Sequence, residues 1–263
     1  MKIPKRNSLP YRLGEAGDMI PRIQEQSVPF VSVAQMVEVD RAMIEDYGIS
    51  LVQMMENAGR NLAHLARLRF LSSEPTAKRV AVLAGVGGNG GGALVCARRL
   101  ETWGASVEVF LTKPEEELTE VPRHQLSITG RMRIPSRVGA PPAEADFDLV
   151  VDGVIGYSLA GAPRGTAAEM IRWAAAQSAP VLALDIPSGV DANTGSALDP
   201  VIHATATMTL ALPKKGLRAQ SVRALIGELY LADISVPPAL YNNPGLRLQV
   251  PAPFSTSDIV QLV

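Results

Sequence analysis

The chain has 263 residues, 47% of them hydrophobic, enough for one large α/β domain or two small ones around a real core, which excludes disorder throughout. Lys and Arg total 25 against 26 for Asp and Glu, a net charge of −1, so there is no basic excess to hold a phosphate backbone, and nucleic acid is not an expected partner. Cys96 is the single cysteine; it permits neither an intrachain disulfide nor a Cys/His zinc site, and points to a reducing compartment.

Residues 1–30 mix Lys2, Lys5 and Arg6 with Glu15, Asp18 and Glu25, and contain no apolar run of signal-peptide or membrane-span length. They read as the polar arm of a cytoplasmic protein. Ser32 with Gln35 has the form of a capping box, so a helix is expected from Val33. Apolar Val33, Met36, Val37, Ile44 and Tyr47 follow at helical spacing up to Gly48, a C′ residue. Asp40 lies on that stripe and reads as a carboxylate that caps or pairs locally. Ser50 and Gln53 repeat the capping pattern ahead of Leu51, Met54, Met55, Ala58, Leu62 and Leu65, so two helices precede any strand.

A short apolar run at 80–84 ends in glycines, and helical spacing resumes over 94–100 before Gly104: strand, Gly-rich turn, helix. Further strands are expected at 107–111, 149–154, 181–186, 206–212 and 229–234, with a helix over 166–176. Strands that read as continuous apolar runs and alternate with helices indicate a parallel sheet covered on both faces. The expected fold is therefore a Rossmann-like three-layer αβα sandwich with a mainly parallel central sheet. Pro-rich stretches at 135–142 and 237–253 read as loops or tail, giving a polar arm (1–30), one domain (31–250) and a C-terminal tail (251–263).

Three strand ends carry the chemistry. Gly85-Val86-Gly87-Gly88-Asn89-Gly90-Gly91-Gly92 has six glycines in eight positions; between a strand and a helix, bare amides and the helix dipole attract anions, so a phosphate-bearing ligand is the natural inference, against a plain glycine turn. Gly85, Gly87 and Gly90 satisfy G-x-G-x-x-G, but the next strand runs into Thr112-Lys113 where a dehydrogenase needs an acid for the ribose. No Lys-Ser/Thr pair follows the glycines, so a Walker loop is excluded. Asp152, in Val151-Asp152-Gly153-Val154-Ile155-Gly156-Tyr157, and Asp185, in Asp185-Ile186-Pro187-Ser188-Gly189-Val190-Asp191, stand at two further strand ends; capping is the simpler role for either alone. In a parallel sheet Asn89, Asp152 and Ser188 face one crevice, an oxygen set suited to a hard cation. Lys214 reads as a solvated surface lysine or as a second positive charge at that crevice. His64, His124 and His203 lack nucleophile spacing and read as structural or solvent-facing, and Cys96 as a buried inert thiol.

Met55-Glu56-Asn57-Ala58-Gly59, the glycine segment, Asp152 to Gly156, Asp185-Ile186-Pro187-Ser188-Gly189 and Leu212-Pro213-Lys214, in this order, resemble the YjeF N-terminal domain family over residues 31–237. The resemblance implies an NAD(P)H-hydrate epimerase, an isomerase that interconverts the R and S epimers of hydrated NADH and NADPH for metabolite repair. It implies one potassium ion per subunit on Asn89, Asp152 and Ser188. It also implies a hydrated dinucleotide, as substrate, on Gly88, Asn89, Gly90, Gly91 and Gly92, on Gly156, Tyr157, Ser158, Leu159, Ala160, Gly161 and Ala162, and on Asp185. A homodimer and a separate NAD(P)H-hydrate dehydratase acting in the same pathway are further expectations, since too few residues follow Pro237 for another domain. Epimerisation requires the hydrated carbon to become planar, by ring opening or loss of hydroxide, and Asp185 is the carboxylate placed to shuttle the proton. The family pattern is close to G-P-G-N-N-G-G-D-G, and this chain has Val86, Gly88, Gly92 and Ala93 at four of its nine places. The missing carboxylate at Gly92 and amide at Gly88 keep open an alternative: a catalytically impaired nucleotide-binding or scaffolding module, as in the enhancer-of-decapping proteins.

Overall fold

Both capping boxes form in the computed structural model, which describes residues 20–263. The Ser32 hydroxyl accepts from the Gln35 backbone N–H and the Gln35 side chain accepts from the Ser32 backbone N–H, starting α1 (Val33–Glu45). Ser50 and Gln53 do the same for α2 (Leu51–Arg69). Each helix thus begins with two of its orphan groups satisfied by its own sequence. Of the polar arm, residues 1–19 lie outside the described residues; Arg22–Ile23 form a short strand, β1.

From residue 79 strands and helices alternate: β2 (Arg79–Ala84), α3 (Gly88–Thr102), β3 (Ser106–Leu111), α4 (Glu120–Arg131), β4 (Ser136–Val138), β5 (Leu149–Gly153), α5 (Gly165–Ala175), β6 (Val181–Leu184), β7 (Ala206–Leu210), α6 (Arg223–Ile226), β8 (Glu228–Ala232) and β9 (Ile259–Leu262). The nine strands make one sheet in the order β1-β9-β8-β7-β6-β5-β2-β3-β4. Neighbours are parallel except β8 and β9. The fold is the mainly parallel α/β sandwich expected from the sequence. The chain leaves β2 for β3 on one flank and later returns to β5 on the other, so the order reverses between β2 and β5, where open α/β sheets bind ligands.

Alternate residues of the central strands enter opposite cores. Val80, Val82, Ala84 and Val151 pack beneath α1 to α4 with Met43, Leu62, Leu94 and Leu126. Ala81, Leu83 and Val150 face Met170, Ile171 and Trp173 of α5. A third cluster joins Ile226, Leu229, Leu231, Val260 and Leu262 under the β8–β9 edge. α2 and α3 cross backbone to backbone, because a Cβ on Gly59 would collide with the Gly92 carbonyl and with Val95.

Three local expectations change. The glycine-rich turn expected over 85–92 shrinks to Gly85-Val86-Gly87, because α3 begins at Gly88; close packing against α2 overrides the low helix propensity of glycine. The proline-rich stretch 135–142, expected as a loop, supplies the short strand β4, and α4 precedes it where no element was expected. The region expected as a tail supplies β9, whose Ile259, Val260 and Leu262 are buried and pair antiparallel with β8.

Candidate active site

A cleft of about 410 Å³ opens over the carboxyl ends of β2, β5, β6 and β7. Met36, Ile44, Met54 and Met55 from α1 and α2 form an apolar wall, and the titratable side chains that line it are Asp40, Tyr157, Asp185 and Lys214. The residues between β2 and α3 reach its rim through Val86, Gly87, Gly88 and Asn89.

Beneath the floor, outside the cleft lining, Asp152 and Ser188 are buried, Asp152 at the end of β5. Its carboxylate accepts from the Ser188 backbone N–H at 2.8 Å, the Ser188 hydroxyl at 2.6 Å and the Val154 backbone N–H at 3.1 Å. The Ser188 hydroxyl in turn accepts from the Ile155 backbone N–H at 2.8 Å, so the two side chains pin the loop that leaves β5. Asn89 spans β6 and this loop: its amide donates to the Leu184 carbonyl at the end of β6 at 2.8 Å, and its Oδ1 lies 2.6 Å from where a Cβ on Gly156 would stand. A larger residue at 156 would have to displace the Asn89 side chain. No basic side chain pairs with Asp152 among the described residues, and burial pushes its carboxyl up to about 6 against the opposing hydrogen bonds from Ser188 and Val154. A buried carboxylate beside a neutral hydroxyl and lacking a counter-charge is chemistry that suits a hard cation.

Above this floor stands an ion pair. Lys214 is wholly buried, which corrects the surface reading, and its ammonium donates to Asp185 Oδ1, to the Leu210 carbonyl at 3.0 Å and to Thr209 Oγ1 at 3.5 Å. Asp185 Oδ1 also accepts from the Leu210 backbone N–H and the Thr209 hydroxyl, each at 3.2 Å. Oδ2 accepts no hydrogen bond among the described residues and is left for a ligand. Asp185 sits at φ +68° immediately after β6, a left-handed conformation that Asp tolerates better than most residues and that recurs at functional sites.

The second pair is Asp40 and Tyr157, 117 residues apart, with the phenol donating to Asp40 Oδ2. Asp40 therefore pairs across the fold and not locally. Burial raises the Asp40 carboxyl above its ordinary value, opposed by the Tyr157 hydrogen bond and the charge of Lys214. Burial and the neighbouring Asp40 charge raise the Tyr157 phenol. The Lys214 ammonium lies 5.8 Å from the centre of the Tyr157 ring, so the two pairs adjoin.

Of the ligand residues that the sequence suggests, Gly88, Asn89, Gly156, Tyr157, Ser158 and Asp185 line the cleft. Gly90, Gly91 and Gly92 do not; they are buried in the first turns of α3. Leu159, Ala160, Gly161 and Ala162 also lie outside its lining, in the loop ahead of α5. Gly92 faces the core: a Cβ there would come within 2.8 Å of Leu184 Cδ2 and 3.7 Å of Ala58 Cβ. The absent carboxylate thus leaves no gap in the cleft wall. His64 packs on Trp103 with ring centres 5.1 Å apart, and none of the three histidines lines the cleft. Cys96 is buried, and burial pushes its thiol well above its ordinary value. Among the described residues no three His, Cys, Asp or Glu side chains cluster in a metal-holding group, and no helix is long and apolar enough to cross a membrane. Asp40 and Lys214 are the site residues that sequence reasoning set aside.

A family model described as YjeF-related protein N-terminus matches residues 51–216. The NAD(P)H-hydrate epimerase of Dehalogenimonas lykanthroporepellens is 42% identical over 241 residues, covering 90% of this chain and 94% of that protein. The bifunctional NAD(P)H-hydrate repair enzyme Nnr of Moorella thermoacetica is 35% identical over 218 residues; the match covers 80% of this chain and 41% of that longer protein. The crystal structure of yeast ynu0 superposes with a TM-score of 0.75 at 24% identity, covering 89% of this chain and all of that one, a likeness of fold.

Proposed function

The chain belongs to the family described as YjeF-related protein N-terminus, and we propose that it is an NAD(P)H-hydrate epimerase acting on hydrated NADH and NADPH. The observation that carries this reading is the meeting, in one cleft, of the α3 N-terminus with an Asp185 carboxylate whose Oδ1 is held by Lys214 and whose Oδ2 is free. The first amides of α3 lack intrahelical acceptors and favour the phosphates of a dinucleotide. The apolar wall of Met36, Ile44 and Met54 suits the face of the reduced nicotinamide ring.

Asn89, Asp152 and Ser188 would hold potassium, which when bound supplies positive charge against the buried Asp152 carboxylate and the substrate phosphates. A dihydronicotinamide hydrate is a carbinolamine, with its hydroxyl on the carbon bonded to the ring nitrogen. Asp185 Oδ2 accepts the hydroxyl proton as that carbon becomes a planar carbonyl, and returns it when the ring closes on the other face. Lys214 fixes the carboxylate for this transfer. The scaffolding alternative drew on Gly88 and Gly92; burial of Gly92 against Leu184 weakens the second ground, while Gly88 lines the cleft.

A separate dehydratase, acting on the S epimer in the same pathway, would consume the product. The exposed Val37 on α1 and Tyr47 just after it support a homodimer, and the single buried Cys96 suits the cytoplasm. The test is to incubate the R hydrate of NADPH with the purified protein in potassium buffer and follow the epimer ratio by chromatography. The protein should hasten the approach to the epimer equilibrium; a time course equal to the uncatalysed one would contradict the reading.

A further inference from the structure

We propose that Tyr157 and Asp40 form a second proton-transfer pair for the epimerisation, Tyr157 as the acid that protonates the ring nitrogen and Asp40 as the positioning residue that resupplies its proton. This inference rests on the epimerase reading. It follows from elimination within the cleft. Opening a carbinolamine takes one proton from oxygen and gives one to nitrogen, so a base and an acid must both be present. Asp185, with Oδ2 free, is the base. Lys214 is not the acid, because its ammonium must keep its protons to hold Asp185 Oδ1, and losing one would leave the buried Asp185 carboxylate without its counter-charge. The titratable side chains of the lining that remain are Tyr157 and Asp40, already joined by a hydrogen bond.

The step balances. The hydroxyl proton passes to Asp185, the carbon–nitrogen bond breaks with its electron pair going to nitrogen, and the carbon becomes a carbonyl. The nitrogen takes the Tyr157 proton, and Tyr157 regains one from protonated Asp40. Rotation about the adjacent carbon–carbon bond presents the other carbonyl face, and closure returns both protons. In the starting state Asp40 carries the proton and donates it to the phenolic oxygen, the reverse of the bond in which the ionised carboxylate accepts from Tyr157, and the phenol O–H is then free for the ring nitrogen. Burial favours the Asp40 proton, as does the Asp185 charge, while the Tyr157 hydrogen bond and the Lys214 charge oppose it.

Asp40→Asn and Tyr157→Phe preserve shape, and Asn keeps an acceptor for the phenol. Singly and together, in the full chain, they are assayed for kcat and KM in R-to-S conversion of hydrated NADPH, with thermal melting to check the fold. Each single variant should lose about 100-fold in kcat with KM within about threefold, and the double variant should be no slower than the slower single. Unchanged kcat, a change confined to KM, or losses that multiply would overturn the pair while leaving the epimerase reading in place. An inactive wild type would overturn both.

Discussion

Asp185 and Lys214 face each other inside the protein, with side-chain exposures of 2% and 0%, the ammonium bonded to one carboxylate oxygen. Desolvating two charges costs about as much as their attraction returns, so such a pair is a poor source of stability. What it supplies is orientation: Oδ1 is held by Lys214, Thr209 and Leu210, and Oδ2 alone remains for a substrate.

Breaking that pair from one side leaves an unpaired buried charge. Lys214→Met should lower the unfolding free energy by about 3–5 kcal/mol in urea titration. Lys214→Met combined with Asp185→Asn should lose less than the two single changes added together.

Asp40 makes stability depend on pH. Its carboxyl is held above the ordinary 3.8 in the folded state, first by burial, so the folded chain binds the proton more tightly than the unfolded one. The contribution is present in full below 3.8 and is lost as pH rises through the raised folded value. Asp40→Asn, which stands in for the protonated form, should remove this slope, so that wild type and variant are alike at low pH and the variant becomes the more stable of the two as pH rises, in urea titrations at a series of pH values.

Potassium should stabilise the protein through Asn89, Asp152 and Ser188. At potassium about 100 times its dissociation constant the gain is about 2.7 kcal/mol, or about 2–4 °C in Tm for each kcal/mol. Sodium at equal ionic strength should give less, and Asp152→Asn should abolish the difference between the two salts.

Gly59 is where α2 and α3 meet most closely, its missing Cβ making room for the Gly92 carbonyl and Val95. Gly59→Val should force the helices apart, cost about 1–3 kcal/mol or more, and displace Asn89 at the head of α3. Urea unfolding gives the first effect, and weakened potassium stabilisation the second.

The framework was legible where the signals are local. Ser32 with Gln35 and Ser50 with Gln53 announce two helices, apolar runs announce the parallel strands, and Asn89, Asp152, Asp185 and Ser188 stand where strands end. Signals carried by tertiary contact were not legible. Lys214 beside Lys215 looks like an exposed basic pair, and only the packing of β6 against β7 sends it inward to Asp185. The partner of Asp40 is 117 residues away, beyond any helical spacing. Gly90, Gly91 and Gly92 resemble an anion loop, yet they are buried in the first turns of α3, where a Cβ on Gly90 would meet the Gly85 backbone and one on Gly92 would meet Leu184. β9 is four residues long after a proline-rich stretch, too short to declare itself before β8 is in place to pair with it.

The most direct test of Asp185 as the proton acceptor is the initial rate of R-to-S conversion of hydrated NADPH in potassium buffer, coupled to an S-specific dehydratase. It compares wild type with Asp185→Asn at a temperature where both are folded. Wild type should exceed the spontaneous rate, and Asp185→Asn should lose about 100-fold or more in kcat. A variant as fast as wild type would contradict the assignment of the reaction to this carboxylate.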